Sequence, residues 1–211
     1  MLNKNFFNIL PFCPRALKGI KGSGFGLIET LKSSLLKSIK GKFVQSQIEK
    51  LPNGSEGSAT IKRHAANRFT SEGKCDHTGE FTIFGQLFQQ CKVGTSYQKT
   101  SFLQNGTDNK IFQTKFAGEG AIDVGGPFRE CLSNLVDELE SEFLPLLIKS
   151  TNNRNNHGYN RDCYILNPSS ISPTHGELFV FFGYFLGFSI RTQSAMNWHF
   201  PAIFWKQMLG E

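Results

Sequence analysis

The chain has no long hydrophobic run, no paired cysteines and, ahead of Glu29, no acidic residue at all. Each absence excludes something. The longest strongly apolar stretch, Leu178 to Ile190, is thirteen residues, whereas a membrane-spanning helix needs about twenty. Gly183-xxx-Gly187 inside it has the spacing of a membrane helix-dimer motif, but length decides against that reading. The stretch is expected as a helix buried within a globular lobe, its two glycines letting neighbouring helices approach closely. The five cysteines, Cys13, Cys75, Cys91, Cys131 and Cys163, are odd in number, widely spaced and without a CxxC. That argues against a disulfide framework and fits a reducing compartment.

Other chemistries fail on missing residues. No Gly-x-Ser-x-Gly occurs, so Ser-His-Asp catalysis lacks its usual elbow. Gly22 to Gly26 is glycine-rich, but Leu27 stands where GxGxxG wants its third glycine, and no Gly-Lys-Ser/Thr follows. His64, Cys75, His77 and Cys91 are the only candidate zinc set, and their spacing matches no standard ligand pattern. Cys131 lies on an apolar helical stripe and reads as a small core residue. Cys163 follows Arg161-Asp162, a setting that can lower a thiol pKa, yet only His157 is near it in sequence, so it too reads as filler. No catalytic residue, cofactor or metal is expected.

What is present divides unevenly. The net charge is +6, and the first fifty residues carry nine basic side chains against Glu29 and Glu49, which leaves the remainder near neutral. The head, 1–59, reads as a basic flexible segment ending in a linker at Pro52 to Ser58. Within it Leu31, Leu35, Leu36 and Ile39 recur at helical spacing, with Lys32, Lys37 and Lys40 off that face, which predicts a short basic amphipathic helix over Leu31 to Lys40. Three roles stay open for the head: a solvated tail, a weak contact with an acidic partner or membrane surface, and a mitochondrial presequence. A cytoplasmic location is the working expectation. Sequence-specific nucleic-acid readout is not indicated. Asn53-Gly54-Ser55 and Asn105-Gly106-Thr107 read as turns.

From Thr60 the chain looks ordered. Ile61 to Phe69 fits a short strand or a helical turn. Phe84, Leu87 and Phe88 predict a helix with one buried face in the second half of Phe81 to Gln90. Lys92 to Asn109 is polar and turn-rich. Ile111, Gln113 and Lys115 alternate with Phe112, Thr114 and Phe116, the period of a strand. Pro127 to Phe143 is the clearest helix: Phe128, Cys131, Leu132, Leu135, Val136, Leu139 and Phe143 share a face, with Asp137, Glu138, Glu140 and Glu142 expected away from it. Asn-rich Thr151 to Asn160 is a surface loop. Thr174 and Glu177 have capping-box spacing before the long apolar stretch. Pro201 to Leu209 is expected as a helix with Ile203, Phe204, Trp205, Met208 and Leu209 largely buried. The fold class expected is α+β, predominantly helical, with short strands.

The stretch Gly118-Glu119-Gly120-Ala121-Ile122-Asp123-Val124-Gly125-Gly126-Pro127-Phe128-Arg129-Glu130 joins the predicted strand to the predicted helix. Gly125-Gly126 permits a positive φ or a close approach. Glu119 and Asp123 are placed to accept backbone N–H bonds in the turn or near the helix start, and Arg129 to pair with one of them. These residues, with Asn167 and Pro168, form the candidate site, and its chemistry is that of a structural clasp.

The same residues resemble the entry of a HECT ubiquitin-ligase domain. Gly118-Glu119-Gly120, Asp123, Gly125-Gly126 and Arg129-Glu130 are similar to that family's opening motif. Leu144-Pro145-Leu146-Leu147, Asn167-Pro168-Ser169-Ser170, Phe182-Gly183-Tyr184-Phe185-Leu186-Gly187, Phe200-Pro201 and Lys206 to Gly210 follow in the family's order. Asn160-Arg161-Asp162-Cys163-Tyr164 looks most like the large HERC-type ligases. The resemblance covers about Ile111 to Glu211 and implies a partial N-terminal lobe over 111–211, with 60–110 as its lead-in. It implies ubiquitin and a ubiquitin-conjugating enzyme as partners, and transfer to substrate lysines through a thioester on a cysteine in a separate C-terminal lobe. None of the five cysteines here occupies that position. The expectation is an N-lobe fragment, inactive alone, with a non-catalytic binding module using the basic head as the alternative. Some relatives place an aromatic before the glycine pair and bind ubiquitin with it; here that residue is Val124.

Overall fold

In the computed structural model, residues 37–48, 58–91, 112–119, 125–192 and 194–208 are described. The expected turns at Asn53 and Asn105, the polar stretch 92–109, the glycine-rich 22–26, Asp123, Val124 and Leu209 lie outside them. The chain divides into two units, Met1–Pro52 and Asn53–Glu211. In the first, helix α1 spans Lys37–Ile48. It overlaps the predicted Leu31 to Lys40 helix only at its start and continues eight residues further. Residues 31–36 are outside the described set.

The second unit is α+β and mostly helical. Strand β1 (Ser58–Ile61) pairs in parallel with β2 (Gln113–Phe116), in the register Ile61 to Phe116. Parallel pairing needs a long crossover, and α2 (Arg63–Ser71) and α3 (Ile83–Cys91) lie within it. The predicted period of two holds: Phe112, Thr114 and Phe116 are buried, while Gln113 and Lys115 face out. Both options left open for Ile61 to Phe69 occur, a strand end and then a helix. α3 lines the other edge of β1. The Gln90 side chain accepts from the Thr60 amide and donates to its carbonyl, both at 2.9 Å, and Gln86 accepts from the Lys62 amide at 2.7 Å. An edge covered in this way offers no template for pairing with another chain.

α4 (Gly126–Leu139) buries Phe128, Cys131, Leu132, Leu135, Val136 and Leu139. It stops four residues short of the predicted Phe143. The Ser141 hydroxyl donates to the Glu138 carbonyl at 2.5 Å and accepts from the Phe143 amide at 3.0 Å, which turns the chain out of the helix. Two carboxylates expected on its outer side turn inward instead: Glu138 is buried and holds the amides of Ile83 and Phe84, and Glu140 is half-buried and holds the amide of His199. The chain then forms β3 (Leu147–Lys149), the one-turn α5 (Thr151–Arg154) and β4 (Tyr164–Leu166), which pairs antiparallel with β3.

The long apolar stretch lies in α6 (Pro173–Thr192). Its cap is not the predicted Thr174–Glu177 box. The Ser172 hydroxyl accepts from the His175 amide at 3.1 Å and Pro173 takes the first helical position, where a missing N–H costs nothing. α6 buries Leu178, Phe181, Phe182, Phe185 and Leu186, and the rings of Phe84, Phe88 and Phe185 meet that of Phe181 tilted or edge-on in the core. It is not buried all round, however. Val180, Tyr184 and Ile190 are exposed, and an added Cβ at Gly183 or Gly187 would meet nothing within 4 Å. The glycines therefore do not serve close helix packing here. α7 (Ala202–Met208) buries only Phe204, stacked on Phe200 at 4.1 Å; Ile203, at 60% exposure, Trp205 and Met208 face outward. No helix among the described residues is long and apolar enough to cross a membrane.

Candidate functional site

The strand-to-helix clasp is built around a residue the sequence did not point to, Arg63. It opens α2, directly after β1, so the parallel register sets it beside the end of β2. Its guanidinium donates to Glu119 through two nitrogens, at 3.1 and 2.7 Å, and through the third to Glu130, and it lies 4.7 Å over the Phe116 ring. A fork of this kind suits a planar guanidinium rather than an ammonium. Glu119 thus takes a guanidinium rather than a backbone amide, with His64 Nε2 3.5 Å from it. Arg129 is exposed and lines a cavity of about 240 Å3 with Ser133, Asp137, Asn197 and His199. Gly125 caps α4 with φ 107°, a left-handed value that an L side chain resists. Gly126 starts the helix, and a Cβ there would meet open space.

Asn167 organises a second joint. Its side-chain amide donates to the Pro145 carbonyl at 2.9 Å, and its oxygen accepts from the Ser169 amide at 3.0 Å. The Ser170 hydroxyl donates to the same Pro145 carbonyl. Pro168 is exposed at the tip. The Asn-Pro-Ser-Ser turn therefore fastens β4 to the buried Leu144 to Leu147 segment.

At the start of α3 each of the first four amides has a partner. An α-helix leaves its first four amides without internal partners. Here Ile83 and Phe84 donate to the two oxygens of Glu138 at 2.8 and 2.9 Å, Gly85 donates to the Thr82 hydroxyl at 3.0 Å, and Gln86 to the Thr82 carbonyl at 2.8 Å. Just before it, Asp76 accepts from the amides of Glu80, Phe81 and Thr82 and from two threonine hydroxyls. Burial alone would raise Asp76, but these bonds outweigh it and hold the carboxyl below its usual range. Glu138 goes the other way. Burial pushes it up to about 7 against the pull of its two amides, and the charges of Asp76 and Asp137 add to the rise.

Glu140, at the end of α4, accepts from the His199 amide at 2.7 Å and contacts its ring Nδ1 at 2.6 Å, while the His199 carbonyl accepts from Tyr164. A groove of about 920 Å3 passes Glu142, Pro145, Lys149, Arg154 and Tyr164.

The described cysteines are free thiols, and none sits in a setting that favours a thiolate. Cys131 is wholly buried. Burial pushes the Cys91 thiol up to about 12. Burial and the adjacent Asp76 raise Cys75. For Cys163 the sequence suggested a lowered pKa, and the opposite holds: burial, the Asp162 carboxylate and Glu140 all raise it. The four residues weighed as zinc ligands do not converge; His77 instead meets His175, at 3.4 Å between ring nitrogens.

Arg63, Asp76, Glu138, Glu140 and His199 were all missed in the sequence. The partners are 56, 55 and 59 residues away for Arg63–Glu119, Glu138–Ile83 and Glu140–His199, so no local pattern marks those residues. The Asp76 carboxylate bonds only to Thr78, Glu80, Phe81 and Thr82, and its local turn chemistry was the one signal available.

No protein-family model matches the chain. It is 36% identical over 132 residues to the mouse and to the human E3 ubiquitin-protein ligase HERC2, a match covering 63% of this chain and 3% of each ligase. It is 32% identical over 162 residues to the human probable E3 ubiquitin-protein ligase HECTD4, covering 72% of this chain and 4% of that protein. The chain thus spans only a few per cent of the length of the curated relatives it matches. Over part of its length it is a distant homologue of HECT-type E3 ligases.

Proposed function

We propose that Asn53–Glu211 is scaffold from the N-terminal lobe of a HECT-type ubiquitin ligase. It carries the lobe's opening strands, its clasp and its first helices. In such a ligase, ubiquitin passes from a conjugating enzyme to a cysteine and then to a substrate lysine. This part of the chain supports that transfer without forming the thioester. The observation that carries the reading is the 36% identity to HERC2 over 132 residues. The cysteines support the scaffold role. Thioester formation needs a reachable thiolate, and Cys75, Cys91 and Cys163 all have raised pKa values while Cys131 is closed off. Ubiquitin and a conjugating enzyme are the partners of the whole assembly.

A chimera tests the reading. The matched stretch of mouse HERC2 is replaced by the corresponding stretch of this chain, and ubiquitin loading from a charged conjugating enzyme is followed on a non-reducing gel. Retained loading is expected. A folded chimera that no longer accepts ubiquitin would refute the shared architecture.

A further inference from the structure

His77 and His175 are 98 residues apart in sequence, yet His77 Nδ1 and His175 Nε2 are 3.4 Å apart. Both lie beside hydrogen-bonded turns. His77 follows Asp76, whose carboxylate gathers the loop's amides from Glu80 to Thr82. His175 sits in the first turn of α6, its amide held by Ser172. The second ring nitrogen of His175, Nδ1, is buried without a hydrogen-bond partner, so Nε2 is the nitrogen that ring can offer a ligand. The His77 side is open to water.

The separation is compatible with two readings, a long hydrogen bond between the rings and a shared metal ion. Hydrogen bonds from a ring N–H run at roughly 2.7–3.2 Å, and 3.4 Å is long for one. Zinc binds imidazole nitrogen at about 2.0–2.1 Å in tetrahedral geometry. Two nitrogens at that bond length and 3.4 Å apart subtend about 110° at the ion, the tetrahedral angle; an octahedral pair would sit at about 2.9 Å.

We propose that His77 and His175 form a two-imidazole site for a divalent transition metal, zinc being the fitting occupant, which clips the loop ahead of α3 to the first turn of α6. Water completes the coordination, since no third metal-ligating side chain joins the pair among the described residues. The site is independent of any role in ubiquitin transfer.

The test is calorimetric titration of zinc chloride into the full chain. One saturable site is expected, with binding weakened roughly tenfold or more in both His77→Ala and His175→Ala, since either change leaves a single imidazole. His157→Ala, which removes an exposed imidazole elsewhere, leaves binding unchanged. Zinc raises the melting temperature of the parent chain and not that of His77→Gln, a variant on an exposed position whose circular dichroism spectrum matches the parent's. Absence of saturable binding in the parent overturns the proposal. So does binding that survives His175→Ala but is lost in Cys75→Ser, which would assign the metal to the thiolate.

Discussion

Glu138 should make the stability of this fold depend on pH in a direction opposite to most acids. The group is 7% exposed, and both its oxygens accept main-chain amides at the start of α3. Burial sets its folded pKa at about 7, against 4.5 for the free side chain. A raised acid binds its proton more tightly in the folded state. Its contribution is therefore fullest at low pH and is lost as pH rises from the unfolded value through the folded one. Between pH 5 and pH 8 these two values remove about 2.5 kcal/mol of stability, an order-of-magnitude figure from linkage.

Glu138→Gln isolates that contribution. Glutamine keeps the shape but offers one acceptor, so one of the two amides faces an NH2 and loses its bond, at a cost of about 1–3 kcal/mol. The variant cannot titrate. Its deficit relative to the parent should thus be largest near pH 5 and shrink by about 2.5 kcal/mol by pH 8. The comparison with the parent also cancels His175, which burial lowers, with the His77 charge adding to the fall. That group alone would make stability fall as pH drops below its unfolded value. Urea unfolding at pH 5, 6, 7 and 8, followed by tryptophan fluorescence, gives the differences directly. A deficit constant across this range, or one that grows with pH, would refute the reasoning.

Three further outcomes follow from the geometry. At Gly85 an added Cβ would lie 2.6 Å from the Gly79 carbonyl carbon and 2.9 Å from the Glu80 nitrogen, backbone atoms that cannot give way cheaply. Gly85→Ala should therefore cost about 1–3 kcal/mol, whereas Gly183→Ala, facing open space, should gain about 0.5–1 kcal/mol from helix propensity; thermal melts of the two variants should move in opposite directions. Asn167→Ala removes the bond to the Pro145 carbonyl and the one from the Ser169 amide, and a loss of about 1–3 kcal/mol should appear in the urea midpoint with an unchanged slope. Incubation of the chain with a ubiquitin-charged conjugating enzyme should give no adduct that a reducing agent removes, and a reducible band would overturn the scaffold reading.

Much of the fold was legible because it was periodic. The α4 stripe of Phe128, Leu132, Leu135 and Leu139 and the alternation from Phe112 to Phe116 both state which side is buried. α6 could not be read in the same way: a stretch apolar on every side carries no periodicity, so the sequence did not distinguish Phe181 and Phe185, buried, from Val180 and Tyr184, exposed. The glycine pair within it suggested close packing, yet glycine also tolerates an open face. Charge misled at the end of α4. Glu138 and Glu140 look like solvent-facing acids, and only the distant amides of Ile83, Phe84 and His199 bring them inside. Of the candidate site, Glu119, Gly125 and Asn167 were visible as turn and cap residues. Arg63, which Glu119 serves, was not, because its placement depends on the parallel pairing of β1 with β2.

That pairing changes what the clasp joins. The turn after β2 looked like a link between one strand and the helix that follows it. Arg63 belongs to the segment before the crossover, and its guanidinium holds both Glu119 on the near side of the turn and Glu130 on α4. Glu138 ties the same helix to α3, again from the earlier segment. A buried carboxylate is costly unless it is fully bonded, and both of its oxygens are taken by that segment's amides. Ile61, Phe84 and Phe88 also share one core with Phe128, Leu135 and Phe185. Thr60 to Cys91 shares the core of the unit that holds α4, and α4 is fixed near both ends by side-chain hydrogen bonds to residues more than fifty positions away.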